Sequence, residues 1–432
     1  MINLSLPAPL RQIGRALRHR NFLLFFSGQL VSLIGTWMQT VAQAWLVYRL
    51  TGSAALLGSI GFASQVPVFL LSPIGGAVAD RHNRHRILLA TQTTSMALAA
   101  MLAGLTLSGR VQVWEVAVLA AGLGVVNAFD IPARQSFIVE MVGREDLQNA
   151  IALNSSMFNS ARLVGPAVAG LLVGAVGEGW CFLLNAASFC AVIAGLLAMK
   201  LVKRSHHRKV GSMLGQAFEG IAFVARTGPI RALLLLVALV SFMGMPYAVL
   251  MPIFADRILG GGPEALGGLM GAAGVGALVG ALSLAARKGL QGLGQRIALS
   301  SAMFGAALVV FALSSSFVLS LVVLSVAGFS MMTQMGASNT LVQAMVPEQY
   351  RGRAMAAYSM MFMGVAPFGS LVAGLIAERV GAPAVVAGGG LCCMAGALVF
   401  RRYLPLLRDQ GRALVEAQRV AASASAAGGK AP

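Results

Sequence analysis

Charged side chains are scarce in this sequence, and acids are the scarcest: 14 Asp and Glu stand against 32 Lys and Arg, and together they make up only 11% of 432 residues. Soluble domains carry about 25%, so a globule surrounded by water is excluded. Only four cysteines occur, Cys181, Cys190, Cys392 and Cys393. They match no metal or redox spacing and lie in or beside apolar runs, which excludes a disulfide framework and a zinc module. No Gly-Lys-Ser/Thr nucleotide loop is present, so ATP is not the energy source. Short strands of alternating polarity are lacking too, which argues against an outer-membrane barrel.

What is there is hydrocarbon: 57% hydrophobic residues and a mean hydropathy of +0.79. Roughly 20 apolar residues cross a ~30 Å hydrocarbon core as a helix. Such runs predict twelve spans at about 22–48, 53–79, 87–108, 113–138, 149–176, 180–200, 230–256, 265–286, 297–314, 317–340, 353–378 and 382–403. Gly residues number 51, and those at 267, 268, 271, 274, 276 and 280 crowd one span, as close helix contacts in membranes require. The expected fold is an all-α membrane protein, two six-helix bundles in one chain.

The net charge of +18 would suit nucleic acid, but its placement does not. With the N-terminus inside, only Arg49, Arg110, Arg257 and Arg379 fall on the far side and Arg162 within a span, leaving 27 of the 32 basic residues in cytoplasmic segments. This positive-inside bias puts both termini in the cytoplasm, with the bilayer and no nucleic acid as partner. The predicted organisation is a cytoplasmic segment at 1–20, a first half at 21–200, a linker at 201–229, a second half at 230–403 and a tail at 404–432, disordered at its low-complexity end. A monomer is expected.

Sliding the chain on itself at an offset of 204 aligns Met141–Gly177 with Met345–Gly381 without a gap, 14 of 37 residues being identical. Two parallel six-span halves with a substrate between them are a plan of secondary transporters.

The punctuation between the second and third spans is Gly75-Gly76-x-x-x-Asp80-Arg81-x-x-Arg84-x-Arg86. Gly75 and Gly76 should let two helices close up, Asp80 can face a helix N-terminus, and the arginines stay at the interface. With Leu46-Val47-Tyr48-Arg49-Leu50-Thr51-Gly52-Ser53, Pro132-Ala133-Arg134-Gln135 and Asn159-Ser160-Ala161-Arg162-Leu163-Val164-Gly165-Pro166, it resembles the major facilitator superfamily, in its enterobactin-exporter and macrolide-efflux-like branch. The resemblance covers roughly residues 18–402. It implies a single-chain exporter of siderophores, macrolides and other amphipathic small molecules at the bacterial inner membrane, working by alternating access. Gly75, Gly76, Asp80, Arg81, Arg84 and Arg86 would be its gating motif. Two departures weaken proton antiport: Gly165-Pro166-x-x-x-Gly170 keeps only part of the antiporter signature of the fifth span, where it would bend the helix, and the fourth span lacks a mid-membrane arginine.

Candidate cavity residues follow from helical spacing. Gln29, Ser32, Thr36, Gln39 and Gln43 line one face of the first span, beside Trp37. Such a stripe faces either a water-filled cavity or a neighbouring helix. Asn154, Asn159 and Arg162 make a second face. A charge in a span needs a cavity or a partner, and Asp130 is the nearest anion to Arg162, with Glu140 as its rival. The second half offers Gln334, Asn339 and Tyr358. No cofactor is expected. The expected drive is a gradient, or transport runs downhill; for a proton gradient Asp130 and Glu140 are the candidate coupling groups, since His19, His82, His85, His206 and His207 all fall outside the spans. Two other readings fit the same fold: a lysophospholipid-handling transporter, and a non-transporting scaffold.

Overall fold

The computed structural model describes residues 14–143, 145–200, 226–287 and 289–428. Twelve helices among them are long and apolar enough to cross a membrane. They are α1 (Arg20–Thr51), α2 (Ala54–Arg81), α3 (Arg84–Leu107), α4 (Val113–Val142), α5 (Leu147–Val176), α6 (Glu178–Leu197), α7 (Gly228–Ile258), α8 (Gly262–Ala285), α9 (Leu293–Leu313), α10 (Phe317–Met345), α11 (Tyr350–Val380) and α12 (Ala382–Gly428). No strand occurs among the described residues. α12 runs on past the predicted span end at 403, through Pro405 to Gly428. Residues 201–225, most of the predicted linker, lie outside the described residues.

The helices fall into two compact units. Unit 1 holds residues 1–52, 63–209 and 260–271; unit 2 holds residues 53–62, 210–259 and 272–432. In unit 1, Phe22 and Phe25 of α1, Leu88 of α3, Phe137 and Ile138 of α4 and Leu196 of α6 form a buried cluster. Small residues set the helix spacing: a Cβ on Gly28 would lie 2.9 Å from Val192 Cα, so α1 and α6 meet backbone to backbone. In unit 2 the Phe254 ring of α7 lies 4.5 Å from that of Phe311 of α9, and Tyr247 packs edge-on to Phe304.

The sequence repeat has a structural counterpart. Gly177 and Gly381 are equivalent at the offset of 204, and each is a hinge between consecutive helices with φ of 87°. That conformation costs an L side chain about 1–2 kcal/mol, which a glycine avoids. Gly165 and Gly369 are equivalent close-approach points, α5 on α1 and α11 on α7. A Cβ on Gly170 would lie 2.9 Å from Gly267 Cα in unit 1, and one on Gly374 would lie 2.9 Å from Gly58 Cα in unit 2.

Proline acts differently in the two units. Pro67, Pro73, Pro132 and Pro166 sit inside unbroken α-helices. In unit 2 the helices widen beside proline into π turns at Val240–Gly244 before Pro246, Phe254–Ile258 after Pro252, and Met360–Gly364 before Pro367. A proline withholds one amide and crowds the carbonyl four residues back, and the wider turns before Pro246 and Pro367 relieve both.

Candidate functional site

The charged loop between α2 and α3 is built by local chemistry. Asn83 caps α3, its side-chain oxygen accepting from Arg86 N at 3.2 Å. Arg84 Nε donates to the Ala79 carbonyl at 3.1 Å, closing the loop on α2. The Arg84 guanidinium then lies between two carboxylates, Asp80 at 3.5 Å and Glu140 of α4. Glu140 is therefore committed to the motif and not to Arg162, as the sequence had left open. Asp80, Arg81 and Arg86 are exposed. Gly75 meets the backbone of α4, since a Cβ there would lie 2.9 Å from the Ala128 carbonyl carbon. Gly76 has nothing within 4 Å, so the expected close approach belongs to Gly75 alone.

Asp130, 3% exposed in α4, is the one fully enclosed carboxylate among the described mid-span residues. Its Oδ1 accepts from Thr91 Oγ1 at 2.9 Å and Gln92 Nε2 at 2.8 Å, both on α3, and Arg134 Nε approaches its Oδ2 at 3.4 Å. These three partners replace the expected one, Arg162. The Arg162 guanidinium lies over the Trp37 ring instead, 5.7 Å from its centroid. Phe158, 44% exposed, packs edge-on against the same indole. Gly165 makes this possible, because a Cβ there would lie 3.0 Å from Ile34 O and nearer still to the Trp37 Cβ. Gly165 and Pro166 are thus packing positions within an unbroken α5. Asn154 and Asn159 on α5 are half-buried, and Asn159 Nδ2 bonds back to Ser155 O at 2.8 Å.

The polar stripe of α1 divides. Gln29, Ser32 and Gln39 are buried, and Gln39 Oε1 accepts from Asn185 Nδ2 of α6 at 2.6 Å. This part of the stripe is helix packing, not cavity wall, as the glycines at 28 and 35 on the same face dictate. Thr36 and Gln43 stay half-exposed, with Thr36 Oγ1 bonded to Ser32 O. Asn185 was missed by sequence reasoning, although a lone amide amid the apolar residues of α6 was a legible sign.

In unit 2, Tyr358 is 5% exposed and donates to Met335 O at 2.7 Å. It ties α11 to α10. Asn339 and Gln343 pair on α10 at 2.5 Å. Gln334 is fully buried, and neither polar atom of its amide has a partner; Ser330, Thr333 and Ser338 beside it on α10 are likewise unpartnered, as is Ser301 on α9. Ser330 and Ser301 escaped notice because serines are common in apolar helices.

At the opposite ends of the spans, Arg49 Nε donates to the buried Glu178 at 2.7 Å. Near the motif face, Asp146 at the start of α5 takes Arg15 at 3.1 Å and His19 at 2.8 Å. Its carboxyl is held below the ordinary range, chiefly by the hydrogen bond from His19.

A half-open cation–aromatic face in one unit, a charged loop braced by Arg84 and a chain of twelve spans are properties of a carrier. Compared with known proteins, residues 15–425 match the family model described as transmembrane secretion effector. The staphyloferrin A transporter of Staphylococcus aureus is 26% identical over 83% of this chain and 89% of its own length. The multidrug efflux pump Tap of Mycolicibacterium fortuitum is 28% identical over 83% of this chain and 90% of its own. Among solved structures, the nucleoside transporter NupG superimposes with a TM-score of 0.70 at 15% identity, covering 90% of this chain and 98% of that one. The match spans nearly the whole chain, and the protein therefore belongs to the transmembrane secretion effector family, an efflux branch of the major facilitator superfamily.

Proposed function

We propose that the protein is a secondary transporter that exports amphipathic small molecules, siderophore- or macrolide-like, across the bacterial inner membrane by alternating access. The observation that carries this is the Arg162, Trp37 and Phe158 face. A guanidinium over an indole, flanked by a half-exposed phenyl ring, offers charge and apolar area together. It suits neutral or anionic amphiphiles, and a siderophore with carboxylates is one; a cationic drug would meet repulsion at Arg162. The relatives named for staphyloferrin A and multidrug efflux support cargo of this class. Both termini would be cytoplasmic, as the basic loops favour. Export would draw on a gradient, with Asp130 as the proton-binding group, since it is a carboxylate enclosed within a span.

The test is retention of candidate siderophores and macrolides by cells with and without the gene, repeated with the proton gradient collapsed. Arg162→Ala should abolish export at an unchanged protein level, and Asp130→Asn should leave downhill exchange while removing gradient-driven accumulation. Unchanged retention and drug susceptibility on deleting the gene would defeat the exporter reading.

A further inference from the structure

One cavity lies outside the face used above. About 510 Å³ of space lies in unit 2 between the starts of α7 and α9, the end of α10 and the far part of α12. Small-molecule sites occupy about 300–1,000 Å³. Its floor is apolar, built by Leu233, Leu341, Met345, Phe400 and Leu404, and its rim is polar. Arg408 and Arg412 stand one turn apart on that rim, on the part of α12 that continues beyond the span, with Gln291 and Gln295 across from them and Glu416 one turn further out. Among the described residues neither arginine makes an ion pair. A second groove of about 570 Å³ runs between α7 and α12 and shares Phe400 and Leu407 with the first. Its walls include Leu235, Val399 and Leu406, exposed by 58–61% on spans that lie in hydrocarbon.

We propose that these joined cavities are a binding site for an anionic glycerophospholipid. The phosphate sits between Arg408 and Arg412, and an acyl chain lies along the groove between α7 and α12. Two unpaired guanidinia one helical turn apart match a phosphate bearing one or two charges. Basic pockets between helices at a membrane face select anionic headgroups in this way. An apolar floor that shares the Phe400 and Leu407 wall with a lipid-facing groove has no use for a soluble anion. The long α12 follows from the same reading, since ending the helix at residue 403 would remove the headgroup clamp.

The test measures thermal stability and retained lipid, by native mass spectrometry, of the full chain in detergent titrated with phosphatidylglycerol, phosphatidylcholine or inorganic phosphate. Phosphatidylglycerol should bind and stabilise, the other two should not, and Arg408→Gln with Arg412→Gln should weaken its binding about tenfold or more. Arg401→Gln with Arg402→Gln removes as much charge from α12 outside the cavity and should leave binding intact. Gly411→Leu keeps both arginines and fills the cavity beside Met345, so it should also weaken binding. Equal loss from the 401/402 pair would mean general surface attraction and overturn the site. So would full binding by Gly411→Leu, or stabilisation by phosphate alone.

Discussion

Two adjacent glycines in one motif should respond in opposite ways to the same methyl group. A Cβ at Gly75 would lie 2.9 Å from the Ala128 carbonyl carbon and 3.1 Å from Phe129 Cα, with the Ala128 oxygen closer still. Carbon atoms in good contact stand about 3.5–4.0 Å apart, so α2 would have to withdraw from α4 by roughly 0.5–1 Å, and a gap of that size forfeits about a quarter to a half of each contact energy along the seam. Overpacking of this kind costs about 1–3 kcal/mol. A Cβ at Gly76 meets nothing within 4 Å, and alanine there gains up to about 1 kcal/mol of helix propensity. Gly75→Ala and Gly76→Ala should therefore differ by about 1–4 kcal/mol. The assay is thermal unfolding of the purified protein in detergent, followed by thiol-reactive fluorescence as the buried Cys181 and Cys393 are released. Unfolding of membrane proteins is commonly irreversible, so the two variants are compared at one scan rate. Equal melting temperatures for the two variants would refute the assignment of the close approach to Gly75 alone.

Three further outcomes are expected. Asn185→Ala should cost about 1–3 kcal/mol by leaving the buried Gln39 oxygen unsatisfied, and adding Gln39→Leu should recover much of it, read as a double-mutant cycle in the same unfolding assay. Glu140→Gln, which leaves Arg84 only the exposed Asp80, should cost about 1 kcal/mol or less and raise protease cleavage in the 80–86 loop. Asp146 carries a carboxyl pKa lowered in the fold by His19 and Arg15; a lowered acid pKa contributes stability above its unfolded value of about 3.9 and loses it as pH falls through the folded value. Asp146→Asn should thus destabilise the protein at pH 7, and its difference from wild type should shrink below about pH 4.

The helices were legible because length and apolarity alone decide what can cross a bilayer, and the twelve spans follow that rule with ends shifted by several residues. The face that each polar residue chooses was not. Periodicity put Gln29, Ser32, Thr36, Gln39 and Gln43 on one side of α1, but a face has two edges, and only tertiary packing says which edge meets α6. Gly28 and Gly35 were the missing clue, since small residues at a seven-residue step mark the seam and draw Gln39 toward Asn185. The partner of Arg162 was misread for a related reason: carboxylates were ranked by reach along the chain, whereas Asp130 is enclosed by Thr91 and Gln92 from a different helix. Tyr358, read as a cavity wall, spends its hydroxyl on a neighbouring backbone carbonyl. The continuation of α12 past Arg402 was hidden by Pro405 and by the charges that follow it, Arg408, Asp409 and Arg412, which read as the end of an apolar span.

The three wide turns give the molecule an uneven stiffness. Every span of unit 1 is a rod, in which a bend must strain several hydrogen bonds at once. α7 carries two joints and α11 one, and at each the amide register is already stepped by a residue, so rotation there exchanges one carbonyl partner for another at little net cost. Compliance is thus concentrated in two helices of unit 2. Substitutions that restore a regular register at residues 240–244 or 360–364 would stiffen these two helices.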